Sequence, residues 1–161
     1  MNITFDHTIT TSLAGAQLWD LLEQSFRNSD ASPIWPHNLE SICSAQVETG
    51  ALVRATYKGP AGIQSHVTYR FAEVEAGRQL SYMADPSHPL RGGGTVEILS
   101  APAGCVLHWF GSYDVPRRPA ALAAAAFTRL YFTGRFFATL ESKLGEWEAG
   151  KGIPQRMKTS G

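Results

Sequence analysis

The stretch PAALAAAAFTRLYFTGRFFATLESKLGEWE, residues 119–148, decides the fold. It is rich in Ala, Leu, Phe and Glu and contains no proline after Pro119, so it reads as a helix of roughly eight turns at ~3.6 residues per turn. Pro119 suits a first-turn position and Gly150 suits the C-cap. At about 100° per residue, Phe137, Leu144, Leu140, Leu130, Ala126 and Ala123 share one side, with Arg135, Ser142, Glu146 and Thr139 opposite. A helix that also carries Phe127, Tyr131, Phe132, Phe136 and Trp147 needs a broad apolar surface to cover. The preceding hundred residues read as strands that supply it.

Residues 2–11 alternate, with Ile3, Phe5, His7 and Ile9 on one face. Ser12 is a good N-cap for an amphipathic helix presenting Leu13, Leu18, Leu21, Leu22 and Phe26. A polar break, RNSDASP, leads to IWPHNL, where Pro33 and Pro36 permit one helical turn or a shaped loop and nothing longer. From Glu40 the period changes to two, giving strands at 40–48, 51–58, 63–74, 79–85, 95–101 and 104–115. Short glycine turns join most of them as antiparallel neighbours. The connector at 85–94, with two prolines and three consecutive glycines, is expected to be a mobile lid.

The order strand, two short helices, six strands, long helix predicts an α+β layer arrangement: a curved antiparallel sheet of about seven strands wrapped around the C-terminal helix. A cavity is the expected by-product. One domain over 1–150 accounts for the chain, with 151–161 a polar tail expected to lack structure. The 14 basic and 14 acidic residues among 161 cancel, which leaves no footprint for nucleic acid. The opening MNITFDHTIT lacks the pattern of a secretory signal, and no apolar run approaches the ~20 residues of a membrane span. Cys43 and Cys105 lack metal-ligand spacing and read as reduced thiols. A cytoplasmic location follows from these features, with no membrane insertion.

The element order and several local stretches resemble the START-like, Bet v 1-like (SRPBCC) superfamily with its helix-grip fold, particularly its bacterial polyketide cyclase/dehydrase-like branch. The stretches are LWDLLEQSF with SPIWPHNLESI, then ETGALVRATYKG, VTYRFAEVEAGRQLSYMADPSHPL and VLHWFGSYDVP, and the likeness runs over about residues 2–148. It implies the fold and a hydrophobic small-molecule ligand. It does not choose between an enzyme, a carrier or sensor, and a protein-partner role.

Alternation places Val53, Ala55, Tyr57, Ile63, Ser65, Val67, Tyr69, Phe71, Leu80, Tyr82, Val96, Ile98, Leu107, Trp109 and Tyr113 inward. Arg54, Lys58, Gln64, His66, Arg70, Glu97, His108 and Asp114 point outward. The candidate ligand-binding set is Trp35, Tyr57, Tyr69, Tyr82, Arg91, Trp109, Tyr113 and Tyr131, because a tyrosine brings an apolar ring and a hydroxyl that needs a partner. The candidate acid/base residues are His7 on the apolar face of the first strand, His37 at the rim, and Glu141 beside Phe137 on the helix. Each also has a plain structural reading, as has Arg129: a satisfied core imidazole, a snorkelling side chain or an ion pair. No HExxH, CxxC, GxSxG, Walker or dinucleotide-binding pattern is present, the histidines at 7, 37, 66, 88 and 108 lack helical i, i+4 pairing, and no metal or cofactor is expected. The activity expected is cyclisation or dehydration of a polyketide-like molecule, of lyase or isomerase type. Non-catalytic carriage or sensing is the alternative, and a homodimer is left open.

Overall fold

The computed structural model describes residues 1–27 and 33–150; the tail expected at 151–161 and residues 28–32 of the polar break lie outside the described residues. The elements are β1 (Asn2–Thr11), α1 (Gly15–Arg27), β2 (Leu39–Cys43), β3 (Leu52–Lys58), β4 (Gln64–Glu75), β5 (Gln79–Ala84), β6 (Arg91–Ala101) and β7 (Gly104–Asp114). They are followed by α2 (Pro119–Phe127), a π-helical segment (Thr128–Phe136) and α3 (Phe137–Glu148). The seven strands form one antiparallel sheet in the order β1-β7-β6-β5-β4-β3-β2. Each strand from β2 to β7 lies beside its chain neighbour, and β1 closes against β7, from Asn2 opposite Asp114 to Thr11 opposite Cys105. No helix of the described residues is long and apolar enough to cross a membrane.

The inward set read from alternation is largely the core. Val53, Ala55, Phe71, Leu80, Tyr82, Val96, Leu107, Trp109 and Tyr113 are buried, while Arg54, Lys58, Gln64, His66, Arg70 and Asp114 are exposed. Ile63 departs from it at 69% exposure, because it precedes β4 in the tight turn after Pro60–Gly62 and lies beyond the helices' cover. On the outer face His108 bonds Asp6 of β1 at 2.9 Å and Glu97 of β6 at 3.3 Å. Its partial burial opposes protonation, but these two carboxylates outweigh that and raise its pKa.

Three expectations need correction. Only one helix lies between β1 and β2 among the described residues; Pro33–Asn38 is a bend and turn, since the two prolines remove backbone donors and restrict the residues before them. The turn is fixed instead by Trp35, whose Nε1–H donates to Ser41 Oγ at 2.8 Å, and by the Ser41 hydroxyl, which donates to the Ser25 carbonyl at 2.9 Å.

The second correction concerns the expected lid. Arg91–Gly94 belong to β6: all four pair with β7, and Gly93 and Gly94 pair with β5 as well. The glycines are there for contact: a Cβ on Gly93 would lie 1.8 Å from the Tyr82 carbonyl oxygen, and one on Gly111, opposite Gly94, would lie 2.3 Å from the Gly93 carbonyl oxygen. Bare backbone at Gly93 and Gly111 lets β5, β6 and β7 approach where a side chain would collide. The remaining connector, 85–90, is pinned by Asp85, whose amide donates to the Thr68 carbonyl at 3.0 Å and whose carboxylate accepts from the Ser87 hydroxyl at 2.9 Å.

The third correction is to the phase of the long helix. Leu130, Ala123 and Ala126 are exposed, Leu130 at 77%, whereas Ala121, Ala125, Thr128, Phe132, Phe136, Phe137, Leu140 and Leu144 are buried. Projection at about 100° per residue assumes an unbroken α-helix. In the wider i→i+5 winding of Thr128–Phe136 each residue turns through less, so the seven steps from Leu130 to Phe137 no longer complete two turns. Leu130 swings outward, and three phenylalanines reach the sheet from one short segment.

Two glycine substitutions should therefore differ in sign. Gly93→Ala must push backbone against backbone and should destabilise by about 2 kcal/mol or more. Gly145→Ala, in α3 with nothing within 4 Å of the added methyl, should stabilise by about 0.5–1 kcal/mol. Denaturant unfolding of both variants checks this, and a Gly93→Ala protein as stable as the parent would show that the close strand approach is misread.

Candidate functional site

The bent sheet and the aromatic segment of the long helix meet around Trp109. Its indole lies 5.3 Å from the Phe136 ring, 5.4 Å from Phe137 and 6.0 Å from Phe132, centre to centre. Trp35 closes the other side at 5.9 Å. Rings of this size meeting edge to face do not fill the concavity of the sheet. What is left is an inner chamber of about 60 Å³ bounded by Trp35, Phe71, Tyr82, Trp109 and Phe136. A larger cleft of about 500 Å³ opens outside it, between β4, the 85–90 connector and α2. Tyr57, Tyr69, Tyr113 and Phe132 line both spaces and form the partition between them.

The chemistry of the lining is uniform. Among the described residues neither space is lined by an Asp, Glu, Lys or Arg side chain. The polar groups are tyrosine hydroxyls, Ser41, Ser65, Thr128 and one imidazole, His88. Trp109 Nε1–H donates to the Tyr82 hydroxyl at 3.0 Å. The Tyr57, Tyr69, Tyr82 and Tyr113 hydroxyls converge closely enough to influence one another's ionisation. Burial is the main reason all four are pushed well above the ordinary tyrosine value, since a phenolate in this setting has no cation to meet it. At neutral pH the chamber holds uncharged O–H groups that donate and accept.

His88 is buried in the connector and links these hydroxyls to the backbone. Its Nε2 lies 3.1 Å from the Tyr69 hydroxyl, its Nδ1 accepts from the Leu90 amide at 3.0 Å, and the ring lies parallel to Tyr113 at 6.2 Å. Burial lowers its pKa below the usual histidine value, partly opposed by the Leu90 carbonyl 3.2 Å from Nδ1, so the ring is neutral.

Of the ligand-binding candidates, Trp35, Tyr57, Tyr69, Tyr82, Trp109 and Tyr113 are brought together around the chamber. Arg91 and Tyr131 line neither space. Arg91 starts β6 on the exposed side, and Tyr131 sits at the rim, donating to Asn38 Oδ1 at 2.6 Å and stacking on Phe127 at 5.1 Å. The three acid/base candidates are scattered. His7 stacks on Phe137 with ring centres 3.9 Å apart, behind the chamber wall; His37 is exposed in the turn before β2. Glu141 is exposed on α3, which corrects its expected place on the apolar face: the buried face of α3 runs through Phe137, Leu140 and Leu144, and Glu141 lies at its edge. Arg129 is likewise exposed.

The residue that sequence reasoning overlooked is His88. It lies in DPSHPL, where no periodicity marks burial; the one available signal was an imidazole held between two prolines in a connector too short to swing freely. Among the described residues no group of three His, Cys, Asp or Glu side chains is placed to hold a metal ion.

Comparison with known proteins adds the family. Residues 2–144 match the family model described as polyketide cyclase/dehydrase and lipid transport. By sequence, no curated protein matches. Among solved structures, the di-domain ARO/CYC protein StfQ of the steffimycin biosynthetic pathway superposes with a TM-score of 0.69 at 13% identity, over 95% of this chain and 53% of that one. This chain therefore spans about half of the di-domain protein. Ara h 8.0201 gives 0.61 at 12% identity, over 91% of this chain and 99% of that one. A Rhodobacter sphaeroides protein gives 0.61 at 19%, over 88% and 91%. At these identities the likeness is one of fold, and it places the sheet and long helix in the helix-grip, Bet v 1-like arrangement.

The tyrosine cluster predicts an alkaline behaviour with a definite sign. Unfolded tyrosine ionises near pH 10, and the folded values lie higher. The neutral cluster thus supports the fold fully below pH ~10, and its contribution is lost as the pH rises above that value. Phenolate absorbance should remain small near pH 10 and rise together with unfolding at higher pH. Four tyrosines titrating freely near 10 in the folded protein would show that the hydroxyls are not buried together.

Proposed function

The chain belongs to the polyketide cyclase/dehydrase and lipid transport family, and we propose that it binds an uncharged, flat, partly polar hydrophobic molecule and promotes its cyclisation or dehydration. The observation that carries this reading is the charge-free lining: four hydroxyls meeting between an apolar chamber and a cleft of about 500 Å³. A cleft of that size suits a molecule of two or three fused rings, or a chain folded to that shape. An ionised ligand would enter at the full cost of desolvation with no counter-charge to meet it.

In such a reaction the substrate supplies most of the reactivity. A carbon next to a carbonyl loses a proton and attacks a second carbonyl carbon of the same chain; the attacked oxygen takes up a proton, and loss of that hydroxyl with a neighbouring hydrogen releases water. The protein's part is to hold the two reacting carbons together and to offer neutral hydrogen bonds to the oxygen on which charge develops. The tyrosine hydroxyls and the neutral His88 are the groups placed to do so. Carriage or sensing of the same ligand, without chemistry, is the second reading, favoured by the absence of a carboxylate from the lining.

Native mass spectrometry with neutral aromatic ketones and short poly-β-ketone mimics separates these readings. A product lighter by one water, formed over many turnovers, is expected; a ligand retained at its own mass and only to stoichiometric amounts would establish the carrier. Ala124→Trp, which fills the cleft from α2, should weaken binding more than tenfold while leaving the unfolding midpoint nearly unchanged. Undiminished binding to that variant would rule out the cleft as the entry.

A further inference from the structure

Resting on the reading of the cleft as a small-molecule site, we infer that Leu90, His88 and Tyr69 form a directional hydrogen-bond relay that aims the Tyr69 O–H into the cavity, so that a ligand is taken with a carbonyl or other bare acceptor at its buried end. The argument begins with the Leu90 backbone. Its N–H lies 3.0 Å from His88 Nδ1, and its carbonyl lies 3.2 Å from the same nitrogen. A backbone amide always carries its proton, whereas a neutral imidazole can place its single proton on either nitrogen. The shorter contact therefore holds Nδ1 as the acceptor and leaves the ring proton on Nε2.

From Nε2 the proton points at the Tyr69 hydroxyl, 3.1 Å away. Tyr69 then accepts from His88, and its own proton must turn elsewhere. The Tyr69 ring is held against His88 at 4.9 Å and against Tyr82 at 5.4 Å, so the hydroxyl cannot move far from this position. It lies on the partition between chamber and cleft. Without ligand the neighbouring Tyr57 and Tyr113 hydroxyls share hydrogen bonds with Tyr69; the relay thus ends in a cavity-facing donor that a ligand's carbonyl oxygen can take over and that a ligand presenting only an N–H or O–H cannot. No bond is made or broken in this step. Tyr69 is the ligand-contacting donor, and His88 is a positioning residue acting through it.

This assigns His88 a role that a buried packing residue would not have. Nothing charged competes for the ring: Tyr69 of β4 and Tyr113 of β7 are the titratable groups stacked on it, and on its own connector the Asp85 carboxylate is engaged by Ser87.

The test uses Prodan (6-propionyl-2-dimethylaminonaphthalene), a neutral naphthyl ketone whose emission moves to the red when its carbonyl accepts a hydrogen bond. The full chain should bind it with red-shifted emission. Tyr69→Phe should return the emission to that of an aprotic solvent and weaken binding about three- to tenfold, the loss of one hydrogen bond. His88→Gln, which keeps an amide N–H near the position of Nε2, should retain the red shift; His88→Leu should lose it while its unfolding midpoint changes little more than that of His88→Gln. Nitrogen NMR of the free protein should show the protonated ring nitrogen of His88 to be Nε2. A red shift that survives Tyr69→Phe, or a ring protonated at Nδ1, overturns the relay while leaving the cleft as a binding site. No binding of Prodan or of any other neutral aryl ketone overturns both.

Discussion

The contact between Trp109 and the phenylalanines at 132, 136 and 137 is the interaction on which the rest depends. It is where the middle of the sheet meets the middle of the long helix. Three phenylalanines can converge there only because Thr128–Phe136 is wound as a π-helix, and a regular α-helix would have turned one of them away. The indole then has an N–H to satisfy in an apolar setting, and Tyr82 provides the oxygen. Tyr82 in turn needs room, which the bare backbone of Gly94 leaves: a Cβ there would stand 2.7 Å from its hydroxyl. Helix winding, glycine strip and buried hydroxyl are three consequences of one packing problem.

The cavity follows from the same constraint. A curved sheet is not followed along its length by a straight helical rod, and aromatic edges leave gaps where aliphatic side chains would interdigitate. The gap is polar at one point, where the four tyrosines bring their hydroxyls together. They satisfy one another and Trp109, and no buried side-chain oxygen or nitrogen among the described residues is left without a partner. A ligand carbonyl would replace one neutral hydrogen bond with another.

How much of this was legible in the sequence depends on which physical signal carried it. Period-two alternation from Glu40 to Asp114 fixed the inward faces, and with them Tyr57, Tyr69, Tyr82, Trp109 and Tyr113, because a half-buried strand writes its burial in every second residue. Trp35 was legible from its place beside Pro36 in a short turn. The π-helical segment was not, since nothing in TRLYFTGRF distinguishes i→i+5 from i→i+4 winding, and the phase error it introduced misplaced Leu130; Glu141 was misplaced separately, because it lies at the edge of the buried face of α3. GGG reads as mobile in isolation; only the partner strands show that its missing side chains admit the Tyr82 and Ser112 carbonyls. His88 was hidden for a related reason. Its burial comes from Tyr69, Tyr113 and Leu90, two of them distant in the chain, and an aperiodic connector carries no pattern that reports this.

The pattern of what is absent from the lining limits the chemistry as firmly as what is present. Scattered His7, His37 and Glu141 cannot act together on one molecule in the chamber, and the tyrosines and His88 that do face the two spaces are uncharged at neutral pH. Neutral donors stabilise developing charge on an oxygen but do not, by themselves, remove a proton from an unactivated carbon. A site of this kind works on molecules whose carbons are already acidified by flanking carbonyls, where correct folding of the chain is the larger part of the barrier. On the proposed reading the same site would hold a stable aromatic ketone unchanged. Whether a bound molecule reacts would then be set by its own functional groups and by how well the Tyr69 hydroxyl meets its carbonyl, which would make enzyme and carrier two outcomes of one geometry.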